Sequence, residues 1–207
     1  MTRRLPRTFY TSDLHLGHES VATRHRGYAS VEDHDSDIVD AWLGAVDSTD
    51  TVYVLGDVIG RDNSAPYALD VLRSLPGTKH LVAGNHDPVH PMHRRTFARE
   101  LPAWLEVFDT VSPFLRRKLA GHEVLLQHFP YATWGDGPGR GPARYLQYRL
   151  PDVGLRLLHG HTHGTERAHG TSLHVGLDAW GFDLVPQETV IEWLEARGEF
   201  AALEAAA

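Results

Sequence analysis

Thr8-Phe9-Tyr10-Thr11-Ser12-Asp13-Leu14-His15-Leu16-Gly17-His18 opens on a β-branched and aromatic run and ends on side chains that bind protons and metals. Thr8 to Ser12 reads as a strand, with the polar cluster just past its end. The texture returns at Thr51 to Leu55 (TVYVL), followed by Gly56-Asp57, and at Lys79 to Ala83 (KHLVA), followed by Gly84-Asn85-His86-Asp87. Helical periodicity fills the gaps. After Ser30, Ile38, Val39, Trp42, Leu43 and Val46 fall on one face, and a second helix opens near Ser64, turns Leu69, Leu72 and Leu75 inward, and stops before Pro76-Gly77. Strand alternating with helix, with a polar cluster closing each strand, is how an α/β sheet presents a site at the carboxyl ends of its strands.

Beyond residue 110 the pattern changes. Val111 to Leu119 and Glu123 to Gln127 flank Ala120-Gly121 as a hairpin. Leu155 to Leu158 and Thr171 to Val175 follow as strands, and a closing helix runs from about Gln187 to Arg197 before Gly198. The second half is therefore expected to be richer in antiparallel strands, and the whole to be a mixed α/β domain on more than one sheet. Residues 1–200 are expected to form one domain, with 201–207 (AALEAAA) a featureless tail. Gly135 to Pro142 (GDGPGRGP) is a flexible loop by composition.

Composition excludes several classes. With 42% hydrophobic and 23% charged residues the chain is an ordinary globular one, and a net charge of −7 offers no overall footprint for nucleic acid or an anionic membrane. No stretch has the apolar core of a secretory signal or approaches the ~18 residues of a membrane span, so the expected address is the cytoplasm. Without cysteine, any metal must be held by nitrogen and oxygen. Histidine is abundant, 15 in 207 residues, and clusters beside Asp, Gly and Asn.

The clusters after the strands supply seven such donors: Asp13, His15, Asp57, Asn85, His128, His161 and His163. Residues two apart in extended backbone point to the same side, so Asp13 with His15, and His161 with His163, converge on one ion or straddle two. So many donors suit two five- or six-coordinate ions with open positions better than one tetrahedral zinc, and Asp57 is the natural bridge.

The ordered series Asp13-Leu14-His15-Leu16-Gly17-His18, Gly56-Asp57, Gly84-Asn85-His86-Asp87, His128 before Phe129-Pro130, and Gly160-His161-Thr162-His163 resembles the calcineurin-like metallophosphoesterase superfamily, in particular its small bacterial and phage-type phosphoesterases. The resemblance covers residues 8–195. It implies a four-layer α/β/β/α sandwich of two mixed sheets. It also implies that Asp13, His15, Asp57 and His163 bind one divalent ion and Asp57, Asn85, His128 and His161 the other. Manganese is favoured, with iron, zinc, nickel and cobalt compatible with the donors. Such a pair binds phosphoryl oxygens and activates a water for attack on phosphorus. The expected reaction is hydrolysis of a small phosphodiester or nucleotide. His86 is expected to be the general acid that protonates the leaving oxygen, and Asp87 to orient it.

Other candidates are weaker by pattern. His18 sits in the same extension and is expected at the mouth of the site, and Arg26 is a candidate phosphate ligand. Trp134 and Tyr131, close after His128, are expected to line the mouth, with Tyr145 and Tyr148 nearby; the remaining histidines are expected on the surface or in packing. Other metal hydrolases are disfavoured by order: a metallo-β-lactamase needs HxHxDH, and here Gly164-Thr165 follows His163. The alternatives carried forward are a nuclease acting on DNA or RNA ends and a non-catalytic scaffold that binds proteins. A small phosphate ester is the expected partner, nucleic acid is not favoured and no membrane is; composition leaves the oligomeric state open.

Overall fold

The computed structural model describes residues 4–60, 64–137 and 140–196. The expected tail at 201–207, like Arg197 and Gly198, lies outside them. The first sheet is built as expected from β1 (Thr8–Thr11), β2 (Thr51–Val54) and β3 (Thr78–Val82), which pair in parallel. Helix α1 (Val31–Ala45) crosses from β1 to β2, and its start is set by Ser30, whose hydroxyl accepts from the Asp33 N–H at 3.0 Å. Ile38 and Trp42 of α1 are buried, whereas Leu43, expected on the same face, is 55% exposed. Helix α2 (Ala65–Ser74) carries a proline in its first turn, where the missing N–H has no partner to lose.

The expected hairpin arm over Val111–Leu119 is divided. Its first residues form β4 (Thr110–Ser112), which pairs in parallel with β3; the chain turns at Pro113, and β5 (Leu115–Leu119) starts the second sheet. Helix α3 (Phe97–Leu105), preceding β4, escaped the sequence reading because Pro102 lies inside it, yet Trp104 is fully buried and stacks on Phe108 at 5.9 Å.

Strand β5 forms the expected hairpin with β6 (His122–Leu126) around Ala120-Gly121. Strands β7 (Arg156–His159), β8 (Ala168–His169) and β9 (Ser172–His174) complete the second sheet, in the order β5-β6-β7-β9-β8. Its centre, β6-β7-β9, is parallel, so this half is less antiparallel than its hairpins suggested. Strand β10 (Val185–Pro186) returns to the first sheet antiparallel to β1, giving β10-β1-β2-β3-β4, and α4 (Gln187–Glu195) follows.

Both sheets are thus mixed and five-stranded, as the fold class requires. One apolar cluster joins the first sheet to α1, α2 and α3 through Val52, Val54, Leu81, Ile38, Trp42, Leu72 and Trp104. A second joins the sheets to each other and to α4: Tyr10, Leu55 and Val82 meet Val124, Leu126, Leu158 and Leu173, with Val190, Trp193 and Leu194 from the helix. Because β1, β2 and β3 run parallel, and β6 and β7 do likewise, the clusters that follow these strands emerge together at one end of each sheet. None of the described helices is long and apolar enough to cross a membrane.

Candidate metal centre

The loops after the strands knit the two sheet edges together. The Asp13 N–H donates to Gly56 O at 2.9 Å and the His15 N–H to Asp57 O at 3.0 Å, while the Gly160 N–H donates to His128 O at 2.9 Å. Across the gap between sheets, the His161 N–H donates to the Asp13 carboxylate at 3.0 Å. Asp57 Oδ1 accepts from the His86 N–H at 2.8 Å, which leaves Oδ2 for the centre. These ties force unusual backbone: Asp13 (φ 61°), His15 (49°), Asp57 (52°), His161 (74°) and His163 (51°) all occupy the left-handed region, where non-glycine residues are uncommon and costly and tend to mark functional sites.

Asp13, His15 and His163 offer donor atoms within 4.8 Å of one another, and Asp57, His128 and His161 do the same. His15 Nε2 and His163 Nε2 are 3.2 Å apart, and His128 Nε2 lies 3.2 Å from Asn85 Oδ1, 3.2 Å from His161 Nδ1 and 3.3 Å from Asp57 Oδ2. Asp57 Oδ2 is also 3.8 Å from His15 Nε2, so it stands between the two groups. The opposite ring nitrogens fix the tautomers: His15 Nδ1 faces Ile59 O at 3.2 Å, His128 Nδ1 faces Leu55 O at 2.8 Å, and His163 Nδ1 faces Asp178 Oδ2 at 3.0 Å. A carbonyl or carboxylate oxygen only accepts, so each of these Nδ1 atoms carries a hydrogen and each Nε2 faces the centre. Ring nitrogens and carboxylate oxygens brought this close together suit a cation held between them.

The titration behaviour reflects the same convergence. Burial pushes the Asp57 carboxyl up, but the imidazole of His128, then those of His86 and His15, hold it well below the usual carboxylate range. Burial pushes His128 down while the Asp57 carboxylate pulls harder the other way, raising it to about 9: the cluster takes a proton where it needs a positive charge. Burial holds His15 well below its ordinary value and, with the charge of His128, lowers His161 to about 3, so both are neutral as ligation requires.

Not every expected role survives. The Arg26 guanidinium is 2% exposed and fully engaged, donating to both oxygens of Asp178 at 3.0 and 2.8 Å, to Asp13 O at 2.7 Å and to His34 Nε2 at 2.7 Å, so it is not a phosphate ligand. Asp87 does not orient the His86 ring. Its buried carboxylate accepts from the backbone N–H groups of Gly84 (2.7 Å), Val58 (2.9 Å) and Asp57 (3.0 Å), because those turns leave three buried donors without any other acceptor. Burial and the neighbouring Asp57 raise Asp87 to about 7. Tyr131 is buried and its hydroxyl donates to Leu155 O at 3.0 Å, so it does not line the mouth as expected; Trp134, half-buried, packs on His159 at 4.3 Å and lines a second, smaller pocket with Thr162 and Gly164.

His18 and His86 stand beside the centre, with rings 5.4 and 5.3 Å from that of His15. His86 Nε2 lies 3.8 Å from Asp57 Oδ2, and its side chain is 20% exposed. A cleft of about 750 Å³ opens along Asn85 and His86, with Ile59, Pro66, Pro88 and Met92 on its walls and Tyr145 at its edge. Tyr145 packs 5.3 Å from Phe129 and 6.1 Å from His161. His93, expected to be a surface or packing residue, lines the cleft and faces Asn85 O through Nε2 at 2.9 Å; His25 stacks on His163 at 5.5 Å.

Two carboxylates behind the histidines escaped the sequence reading. Asp178, behind His163, is held well below the ordinary range against burial by His163 and Arg26. Asp136, with an oxygen 3.3 Å from His161 Nε2, is lowered to about 2 by Arg144. Asp178 follows a strand in the Gly176-Leu177-Asp178 turn, the one signal that could have drawn attention to it. Asp136 is hidden in a glycine-rich loop.

An α/β chain whose two sheets bring paired His/Asp donor groups to one end is a metallophosphoesterase in architecture, and the comparison of sequences agrees. The calcineurin-like phosphoesterase model matches residues 6–165, and the chain belongs to that family. It is similar to the Gene 66 proteins of Mycobacterium phage L5 (39% identical over 186 residues, 84% of this chain and 87% of the relative) and of Mycobacterium phage D29 (41% over 194 residues, 89% and 94%). Among solved structures, a protein of unknown function from Aquifex aeolicus superposes with a TM-score of 0.67 at 21% identity over 91% of this chain and 99% of its own. That likeness concerns the fold. Family membership makes the chain a hydrolase of phosphate esters that uses divalent metal.

Proposed function

We propose that the protein is a dinuclear phosphodiesterase acting on a small phosphodiester or nucleotide, with manganese as the assay metal. The observation that carries this reading is the convergence of two donor groups with Asp57 Oδ2 between them, 3.3 Å from His128 Nε2 and 3.8 Å from His15 Nε2. Asp13, His15, Asp57 and His163 would hold one cation and Asp57, Asn85, His128 and His161 the other. When bound, such a pair supplies Lewis-acid charge to phosphoryl oxygens and lowers the pKa of a water.

The chain's own residues do the rest. Asp87 braces the turns that carry Asp57 and Asn85. His86, on the cleft side and outside both donor groups, donates a proton from its ring to the departing oxygen. The apolar walls at Ile59, Pro66, Pro88 and Met92 receive the organic part of the substrate, and Tyr145 borders it.

The test is turnover of bis(p-nitrophenyl) phosphate and p-nitrophenyl phosphate by metal-free protein resupplied with Mn²⁺, with Asp57→Asn as control. Diester hydrolysis that disappears in the control is expected. Preference for the monoester overturns the diesterase assignment, and turnover or metal content unchanged in Asp57→Asn overturns the bridging role. Activity confined to DNA or RNA ends replaces the small-substrate reading with a nuclease, and inactivity on every substrate with two metals bound leaves a binding scaffold.

A further inference from the structure

In the Gly160-His161-Thr162-His163 turn, each histidine shows one ring nitrogen to a donor group, and the group behind the ring decides which nitrogen that is. Behind His163 stands Asp178, its Oδ2 3.0 Å from Nδ1. Arg26 grips both oxygens of Asp178 (Nε to Oδ1 3.0 Å, Nη2 to Oδ2 2.8 Å), and the same Nη2 donates to the backbone oxygen of Asp13 at 2.7 Å. One buried guanidinium therefore ties the carboxylate behind His163 to the backbone of Asp13, a member of the same donor group.

A buried carboxylate also stands behind His161, within ion-pair distance of its ring but without the hydrogen bond that His163 has. Asp136 is fully buried, with Oδ1 3.3 Å from His161 Nε2. Arg144 and Arg149 both donate to its carboxylate, and the Arg149 guanidinium is itself buried, donating also to Pro130 O and Gly135 O at 3.0 Å each. The two carboxylates come from different loops, one before β7 and one after β9, and each meets only one of the two histidines. Asp178 lies beyond the segment matched by the family model, which ends at residue 165.

We propose that Asp178 and Asp136 are separate positioning residues. Asp178 fixes the tautomer and aim of His163 for one metal site and Asp136 those of His161 for the other, each locked by its own buried arginine. The inference rests on the dinuclear reading above. A carboxylate behind a ligating imidazole holds its ring and raises its basicity, and loss of such a partner weakens metal binding about 10–100-fold. Ion pairs that only held the fold would not weaken one site and spare the other.

The test is calorimetric titration of Mn²⁺ into metal-free wild type, Asp178→Asn and Asp136→Asn. Wild type is expected to take up two equivalents. Each variant should keep one ion at wild-type affinity and bind the second about 10–100-fold more weakly. Adding His15→Ala to Asp178→Asn should then cost no further strong site, whereas adding Asn85→Ala should remove the remaining one; with Asp136→Asn the pattern should be reversed. Fewer than two equivalents in wild type defeats the dinuclear reading itself. Two equivalents in wild type with both variants unchanged, or with both sites weakened equally in each variant, overturns the positioning roles while leaving that reading intact. Should a variant fail to fold, long-range ¹H–¹⁵N spectra of metal-free wild type decide: His163 protonated at Nδ1 and His161 at Nε2 is expected, and the opposite tautomers refute the proposal.

Discussion

At the scale of single residues, side chains that look alike in the sequence do different work. His86 and Asp87 are neighbours in one turn, yet His86 faces the cleft and Asp87 is sealed beneath it. A general acid matters most when the leaving group is poor. His86→Ala should therefore slow an alkyl phosphodiester about 10²- to 10⁴-fold while slowing a p-nitrophenyl diester far less, as read from kcat/KM for the two. An equal loss on both would remove the acid role. Asp87→Ala instead strips the acceptor from three buried N–H groups, each costing about 1–3 kcal/mol when unsatisfied. Its urea midpoint should fall well below that of Asp87→Asn, which keeps one acceptor oxygen. Arg26 teaches the converse lesson: an arginine near a phosphate-handling centre became a structural tie because burial demanded partners for every donor.

At the scale of elements, the centre depends on how closely the turns after β2 and β3 approach. A Cβ on Gly56, where φ is 88°, would lie 2.5 Å from Gly84 N and 2.7 Å from His128 Nδ1, so both space and conformation require glycine. Gly121, in the β5–β6 turn, has nearly the same φ of 86° but nothing within 4 Å of its Cβ position. Gly121→Ala should thus carry backbone strain alone. Gly56→Ala should lose a further ~1–3 kcal/mol from overpacking, with a drop in bound metal that Gly121→Ala lacks. Thermal melts paired with metal analysis would check this, and equal effects would show that the turns can separate without harm. The elements themselves were legible where periodicity was unbroken, as in β1, α1, β2, α2 and β3. They were missed where proline interrupts them: Pro102 inside α3, and Pro113 where one apolar run is shared between two sheets.

For the molecule as a whole, ligation and folding are coupled through protons. His128 titrates near 9 in the metal-free protein, above its unfolded value of about 6.5. The stability it contributes is fully present below pH ~6.5 and is lost as pH rises through about 9. Ligation needs the neutral ring, so metal must displace this proton, and its affinity should climb over the same window. The gain in Tm on adding Mn²⁺ should then grow between pH 6.5 and 9, with about one proton released per protein near neutral pH in calorimetry across buffers of different ionisation enthalpy. A gain independent of pH would show that His128 is not displaced by metal. A concentration of 100 times Kd corresponds to about 2.7 kcal/mol of added stability, a shift readily measured.

The sequence by itself determined the strand–helix rhythm of the first sheet and the placement of the seven candidate donors after strands, because periodicity and strand-end glycines are local properties. Only the tertiary structure decided the partners. Residues as far apart as Arg26 and Asp178, or Asp136 and His161, meet because two sheets face each other with their strand ends together. Charge pairing and burial at such separations leave no periodic trace in the chain, so the candidate donors could be named in advance and the carboxylates behind them could not.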